Sequence, residues 1–185
     1  MLIFSMSVSV DGFIKDREGG FDWGAPSDEL FRFHTERVAS LGGYLCGRRL
    51  YEDMRAWETD PAMRRSDDFS AFADIWTALP KIVFSRTLES VEGNARLAQG
   101  SVADEVDEAL AGGKPVEIGG ANLAGQAIEL GLVDEFRIFR LPVIVGGGTP
   151  LLPPVTRTVP LELLETRSFG PAVYERYGRA SSGPH

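Results

Sequence analysis

Pro115-Val116-Glu117-Ile118-Gly119-Gly120-Ala121-Asn122 is the stretch on which the fold turns. A short β-branched run reads as a strand, two glycines break it, and Asn122 to Leu130 repeats apolar residues at helical spacing up to Gly131. A strand that passes through a glycine turn straight into a helix is the unit of a parallel α/β sheet. Two further strands end in similar polar turns. Tyr44-Leu45-Cys46 ends at Gly47 and leads into a helix from Arg48 to Met54, and Lys81-Ile82-Val83-Phe84-Ser85 ends at Ser85-Arg86.

The remaining chain fills in around these units. Leu2 to Val10 is a buried strand broken by Asp11-Gly12, and Lys15 to Pro26 is a glycine-rich loop. Ser27 offers an N-cap to a helix carrying Leu30, Phe33, Arg37, Val38 and Leu41 to about Ser40, stopped by Gly42-Gly43. Pro61 to Asp68 is a charged loop, Phe69 to Leu79 a helix closed by Pro80, and Ser101 caps a helix through Leu110. Val133 to Val145 is a strand interrupted by Pro142, and Gly146 to Pro150 is a loop whose three glycines are either a flexible turn or bulge or, lacking a following helix, a weaker phosphate-binding candidate. Leu161 to Phe169 and Ala172 to Tyr177 form a hairpin across Gly170-Pro171, and the polar tail from Arg179 to His185 frays. The expected architecture is a mostly parallel sheet covered on both faces, with an antiparallel C-terminal edge. It forms one domain over residues 1–178, with 179–185 as a flexible tail.

Composition narrows the function. The chain has 185 residues, roughly one domain at about 150 residues each. Of these 43% are apolar and 25% charged, which fits a globular protein. Nineteen Lys and Arg against 27 Asp and Glu give a net charge of −8, unsuited to nucleic acid. No apolar run approaches the roughly 18 residues of a membrane span, and the N-terminus lacks the basic region of a signal peptide. One cysteine, Cys46, closes no intrachain disulfide, which fits a cytoplasmic protein; with two histidines it provides no metal cage.

Ligands of open α/β sheets bind beyond the carboxyl ends of the strands. One turn of the kind above is adequately explained as a tight turn beside solvated arginines. Three at equivalent strand ends, carrying Arg48, Arg49 and Arg86 in an acidic protein, are read as a local basic pocket for phosphate. Neither G-x-G-x-x-G after the first strand nor a P-loop motif is present. For acid–base work the candidate is Asp28, with Glu29 second, where the loop containing Trp23 and Pro26 meets a helix. A carboxylate beside an aromatic in a closing pocket has its pKa raised. First-turn dipole stabilisation, worth about 0.3–1 kcal/mol, explains an acid there equally well. Trp57, Trp76, Phe69 and Phe72 read as core, although Trp57 and Tyr51 could line the pocket.

Taken in order, Ser7 to Ile14, Gly47 to Glu52, Lys81 to Arg86, Glu117 to Ala121, and Leu132 to Phe136 leading into Leu141 to Gly148 resemble the dihydrofolate reductase superfamily. The nearer branch is the reductase domain of riboflavin biosynthesis and its stand-alone bacterial relatives. The resemblance implies a three-layer sandwich with about eight central strands, and an NADPH-dependent reductase. It would place Gly47, Arg48, Arg49, Ser85 and Arg86 at the adenosine 2′-phosphate. It would place Ile118, Gly119, Gly120, Ala121, Asn122 and Leu123 at the pyrophosphate, and Ile14 near the nicotinamide. Trp23 to Asp28 matches the spacing that presents a tryptophan, a proline and the substrate-binding acid, so Asp28 becomes the catalytic candidate, with Asp11, Trp23 and Tyr51 as further substrate contacts. Leu50 stands where many relatives have Thr. The implied substrate is a small pterin- or aminopyrimidine-like molecule, as for a 5-amino-6-(5-phosphoribosylamino)uracil reductase. True dihydrofolate reductase, or a nucleotide- or folate-binding module without turnover, are the alternatives. The resemblance also makes a homodimer plausible.

Overall fold

The computed structural model describes residues 1–180. Ten strands and six α-helices follow in order. They are β1 (Leu2–Ser9), β2 (Phe13–Lys15), α1 (Asp28–Ala39), β3 (Gly43–Gly47), α2 (Arg48–Met54), α3 (Ala56–Thr59), α4 (Asp67–Ala78) and β4 (Lys81–Phe84). After these come β5 (Ala95–Leu97), α5 (Val102–Leu110), β6 (Val116–Gly119), α6 (Ala121–Glu129), β7 (Glu135–Leu141), β8 (Thr149–Pro150), β9 (Leu161–Phe169) and β10 (Ala172–Arg179). Eight strands form one sheet in the order β5-β4-β3-β6-β1-β7-β10-β9, and β2 pairs with β8 in a separate ribbon. Every pairing from β5 through β7 is parallel; β10 runs antiparallel to both β7 and β9.

Alternation along the central strands feeds two apolar layers. Leu2, Phe4, Leu45, Val116 and Ile118 pack with Val106 of α5 and Leu123, Ala127 and Ile128 of α6. Ile3, Tyr44, Cys46 and Val83 pack on the other face with Phe31 and Val38 of α1 and Phe72 and Trp76 of α4. A third cluster, Leu30, Phe139, Leu141, Phe169, Ala172 and Tyr174, joins α1 to the antiparallel edge. The molecule is thus a three-layer sandwich around a mostly parallel sheet.

Several boundaries differ from the sequence reading. The segment 61–68 is not a plain loop: a 3-10 turn at Pro61–Arg64 follows α3, and α4 starts at Asp67 on a Ser66 cap. The strand β7 stops at Leu141, before Pro142. Arg179 belongs to β10 rather than to a frayed tail, and 181–185 lie outside the described residues. The strands β2, β5 and β8, of two or three residues each, were not anticipated; pairing partners hold them, not local propensity.

Beneath α1 the core is polar. Arg37 and Glu117, both almost fully buried, form an ion pair at 2.6 Å, and Ser5 accepts from the same guanidinium nitrogen. Beside them the His34 ring lies 4.3 Å from the Phe139 ring. Burial, with a contribution from Arg37, pushes the His34 pKa down to about 3. The unfolded chain therefore takes up a proton below pH 6.5 that the folded chain refuses, so stability falls as pH drops from 6.5. Urea unfolding is expected to lose up to about 1.4 kcal/mol per pH unit on acidification below that point. The His34→Gln variant is expected to show a flatter profile between pH 6.5 and 5. An identical slope in wild type and variant would contradict this placement of the ring.

Candidate functional site: a glycine-lined edge and a forked strand pair

Parallel pairing fixes where the three turns go. Cys46 is in register with Gly119, and Gly47 with Phe84, so β4, β3 and β6 end side by side on one edge of the sheet. Residues 47–49, 85–86 and 119–122 leave that edge together.

Helix caps single out two of these turns. The helices α1, α4 and α5 begin with serines whose hydroxyls accept from first-turn amides, and α5 has a full capping box with Asp104. By contrast α2 and α6 begin at Gly47 and Gly120, with no side-chain cap. (The four-residue α3, which follows directly on α2, is also uncapped.) The first amides of α6 therefore face outward without a side-chain acceptor. Gly120 has φ +92°, and a side-chain carbon built on it, or on Gly47, would meet nothing within 4 Å. Gly119 differs: a Cβ there would come within 2.5 Å of Leu50 and of the Tyr44 hydroxyl. Side-chain-free backbone beside open space is the arrangement that lets an anion approach closely.

Next to this edge the sheet forks. The ladder between β1 and β6 ends at Phe4 and Ile118, whereas β1 continues beside β7 as far as Ser9 and Leu141. Beyond Phe4, β1 presents an edge that β6 does not pair. The loop after β1 folds back over this region. Asp11 accepts from the amides of Val145 and Gly146, at 3.2 and 2.8 Å, and Arg17 donates to the Gly146 carbonyl. Lys15 reaches across to Asp53 of α2 at 2.6 Å. The glycine run is no loose turn: Gly148 sits at φ +132°, and a Cβ on it would lie 2.0 Å from the Lys15 carbonyl oxygen. Only glycine permits that crossing.

The sequence-derived candidates separate once placed. Gly47, Gly119, Gly120 and Ala121 form the edge itself. Arg49 and Arg86 are exposed there, while Arg48 is held by Glu52 at 2.7 Å and Thr87 at 2.8 Å. Ile118 and Leu123 are buried in the apolar layer, so only their backbones can serve a ligand. Asn122 is exposed and accepts from Gln126. Ser85 departs from expectation: its hydroxyl accepts from the amides of Thr87 and Leu88 and so organises its own turn. Tyr51, expected at the substrate, is 5% exposed, packs in the core under α4 and accepts from the Glu92 amide at 2.8 Å. Asp11 is likewise engaged by the glycine run. Ile14 lies in β2, half-buried within the folded-back loop.

Trp23 packs half-buried against the third cluster, and its indole N–H is buried with no acceptor among the described residues. Asp28 stands in the first turn of α1, exposed rather than enclosed beside an aromatic. Because α1 leads from the end of β1 to the start of the parallel β3, its first turn lies at the same edge of the sheet as these turns. Sequence reasoning missed Thr87, the Lys15–Asp53 bridge and the Arg37–Glu117 pair. For the last, the signal was present: an arginine in the apolar stripe of one helix, and a glutamate between Val116 and Ile118.

The described residues contain no helix long and apolar enough to cross a membrane. A family model described as the RibD C-terminal domain matches residues 1–174. The uncharacterized protein YyaP of Bacillus subtilis is 29% identical over 179 residues, covering 94% of this chain and 92% of its own. A putative riboflavin biosynthesis protein from Shewanella superposes with a TM-score of 0.76 at 23% identity, over 97% of this chain and 99% of that one. Dihydrofolate reductase from Enterococcus faecalis, complexed with NADP(H) and RAB-propyl, superposes with a TM-score of 0.66 at 19% identity, over 98% and 97% of the two chains. The fold is therefore dihydrofolate reductase-like.

The Asp11 anchor generates a test. Hydrogen bonds, first from Ser9 and then from Gly146 and Val145, outweigh a smaller desolvation effect and hold its carboxyl below the usual 3.8. A lowered carboxyl pKa stabilises above the unfolded value and ceases to as pH falls through the folded one. The loop over residues 11–20 is thus expected to stay protected from proteolysis from pH 7 down to about 4 and to open below it. Asp11→Asn is expected to open it at pH 7. Equal cleavage of wild type and variant at neutral pH would contradict the anchor.

Proposed function

The chain belongs to the RibD C-terminal domain family, and from that premise we propose that it is an NADPH-dependent reductase of a small pterin- or aminopyrimidine-like substrate. The observation that carries this reading is the uncapped start of α6 at Gly120, beside two arginine-bearing turns and opening on the fork between β1 and β6. A dinucleotide phosphate needs all three features. Its diphosphate needs bare amides at a helix start. Its 2′-phosphate needs guanidinium groups, which suit bidentate contact. Its nicotinamide needs a slot with free backbone partners for the carboxamide. The residues present fit that group.

Arg48, aimed by Glu52 and Thr87, together with Arg49 and Arg86, would hold the 2′-phosphate. The amides following Gly120 would receive the diphosphate, and the free edge of β1 beyond Phe4 would seat the ring. When bound, the cofactor would supply hydride to the carbon of a C=N or C=O bond, with the nitrogen or oxygen taking its proton from solvent or by way of Asp28. The protein orients the two rings and keeps water away, with the loop containing Phe13 and Ile14 anchored by Asp11 as a cover. The Asp28 carboxylate would accept two N–H groups from an amidine-like substrate edge. The buried Trp23 N–H, which needs an acceptor, supports a polar substrate atom or an ordered water beside it.

Fluorescence titration tests the cofactor reading. NADPH is expected to bind saturably, and Arg48→Ala and Arg86→Ala each to weaken it about tenfold, in keeping with ~1.5–3 kcal/mol for a charge-assisted hydrogen bond. NADH affinity should change little in the same variants. No binding at millimolar NADPH, or equal losses for both nucleotides, would contradict the reading. On the substrate side, 5-amino-6-(5-phosphoribosylamino)uracil and dihydrofolate are assayed for NADPH oxidation in wild type and Asp28→Asn. Turnover of either that drops at least about a hundredfold in the variant is expected, consistent with lost orientation at the reacting centre. Undiminished turnover would remove Asp28 from the mechanism.

A further inference from the structure

The β1–β6 ladder ends at Phe4 and Ile118, and the next residue of β1 is Ser5. There, a single nitrogen joins three elements. Arg37 Nη2, from the last third of α1, donates to Ser5 Oγ on β1 at 2.9 Å and to Glu117 Oε2 on β6 at 2.6 Å. Arg37 and Ser5 are each 7% exposed and Glu117 is 5% exposed, so the bridge is inside the protein. On the β7 side the same guanidinium lies 5.2 Å from the Phe139 ring centroid. The helix it belongs to begins with Asp28.

Such a bridge is a poor way to gain stability. Taking two charges out of water costs most of what their attraction returns, and apolar residues of similar volume often serve as well or better. Arg37 Nε is moreover buried without a partner among the described residues. What the guanidinium contributes is geometry: a rigid planar donor whose hydrogen bonds fix distance and direction. It stands at the residue where the strands part, so it sets how far apart they start. A planar ring inserted in the gap would feel that separation, because misplacement by about 1 Å can cost a reaction about a hundredfold.

We propose that Arg37 is a positioning residue: bridging Ser5 and Glu117, it fixes the width of the β1–β6 fork and so seats the nicotinamide end of the cofactor without touching it. This rests on the reading of the fork as the nicotinamide slot. The bridge leaves the phosphate-binding turns, farther along the edge, to their own arginines.

Two ligands of the full chain separate these effects. The nucleotide 2′,5′-ADP lacks the nicotinamide and reads only the arginine turns; NADPH reads the turns and the slot together. Two variants are compared. Arg37→Met/Glu117→Leu removes both charges while keeping volume, and Arg37→Lys keeps the charge but replaces the rigid planar donor with a flexible ammonium that does not fix direction. In both, affinity for 2′,5′-ADP is expected to stay within about twofold of wild type while NADPH weakens about tenfold or more. Amide exchange at residues 5–9 of β1 is expected to quicken. Unchanged NADPH affinity in either folded variant overturns the proposal. Equal loss of both ligands also overturns it, since the bridge is then general scaffolding. Wild type that binds both ligands with one affinity has no ring in the slot, and the inference fails while the phosphate site survives. Wild type that binds neither overturns the cofactor reading and this inference with it.

Discussion

The structure depends on a ladder that stops early. Parallel pairing aligns β4, β3 and β6 so that their carboxyl ends form one edge, and β1 would extend that edge evenly if it stayed paired with β6. It does not: three residue pairs suffice before β1 goes on with β7 alone. In a sheet buried on both faces, unpaired backbone is costly, so a gap of this kind persists only where something else meets those groups. Everything assigned to function surrounds that gap. The uncapped helix lies on one side, the folded-back loop above it, the start of α1 on one face, and a buried ion pair at its root.

Local sequence chemistry agrees with this division of labour. Serine closes the first turn of α1, α4 and α5, at Ser27, Ser66 and Ser101. Where β3 and β6 pass into helices, glycine replaces the cap and leaves amides and space. The loop over the gap is held by a different principle, a single carboxylate receiving two amides from 134 and 135 residues away. That anchor is long-range in sequence and small in area, so little else ties the segment down.

The strand–glycine–helix units were legible because each is local: period, breaker and new period lie within a dozen residues. The same locality explains what was not. The strands β2, β5 and β8 exist only through partners elsewhere in the chain, and nothing in Phe13–Lys15 or Ala95–Leu97 announces them. Tyr51 and Asp11 have types and positions that suit a site, but their partners are Glu92 and the 145–146 amides, invisible without the fold. The Ser85 hydroxyl is turned inward by its own turn, a local effect that Ser-x-Thr could have suggested. Arg37 and Glu117 each broke an apolar pattern. Recognising that the two exceptions belong together required knowing that α1 lies over the junction of β1 and β6.

The central claim is that an extended dinucleotide lies along one edge of the sheet and ends in the fork. A crystal structure of the chain grown with NADPH tests it most directly. The account predicts density running from Arg86 and Arg48, past the amides after Gly120, to a ring lodged between β1 beyond Phe4 and the end of β6. A cofactor ordered on any other surface, with the fork filled by side chains or closed by β1 pairing further along β6, would contradict it.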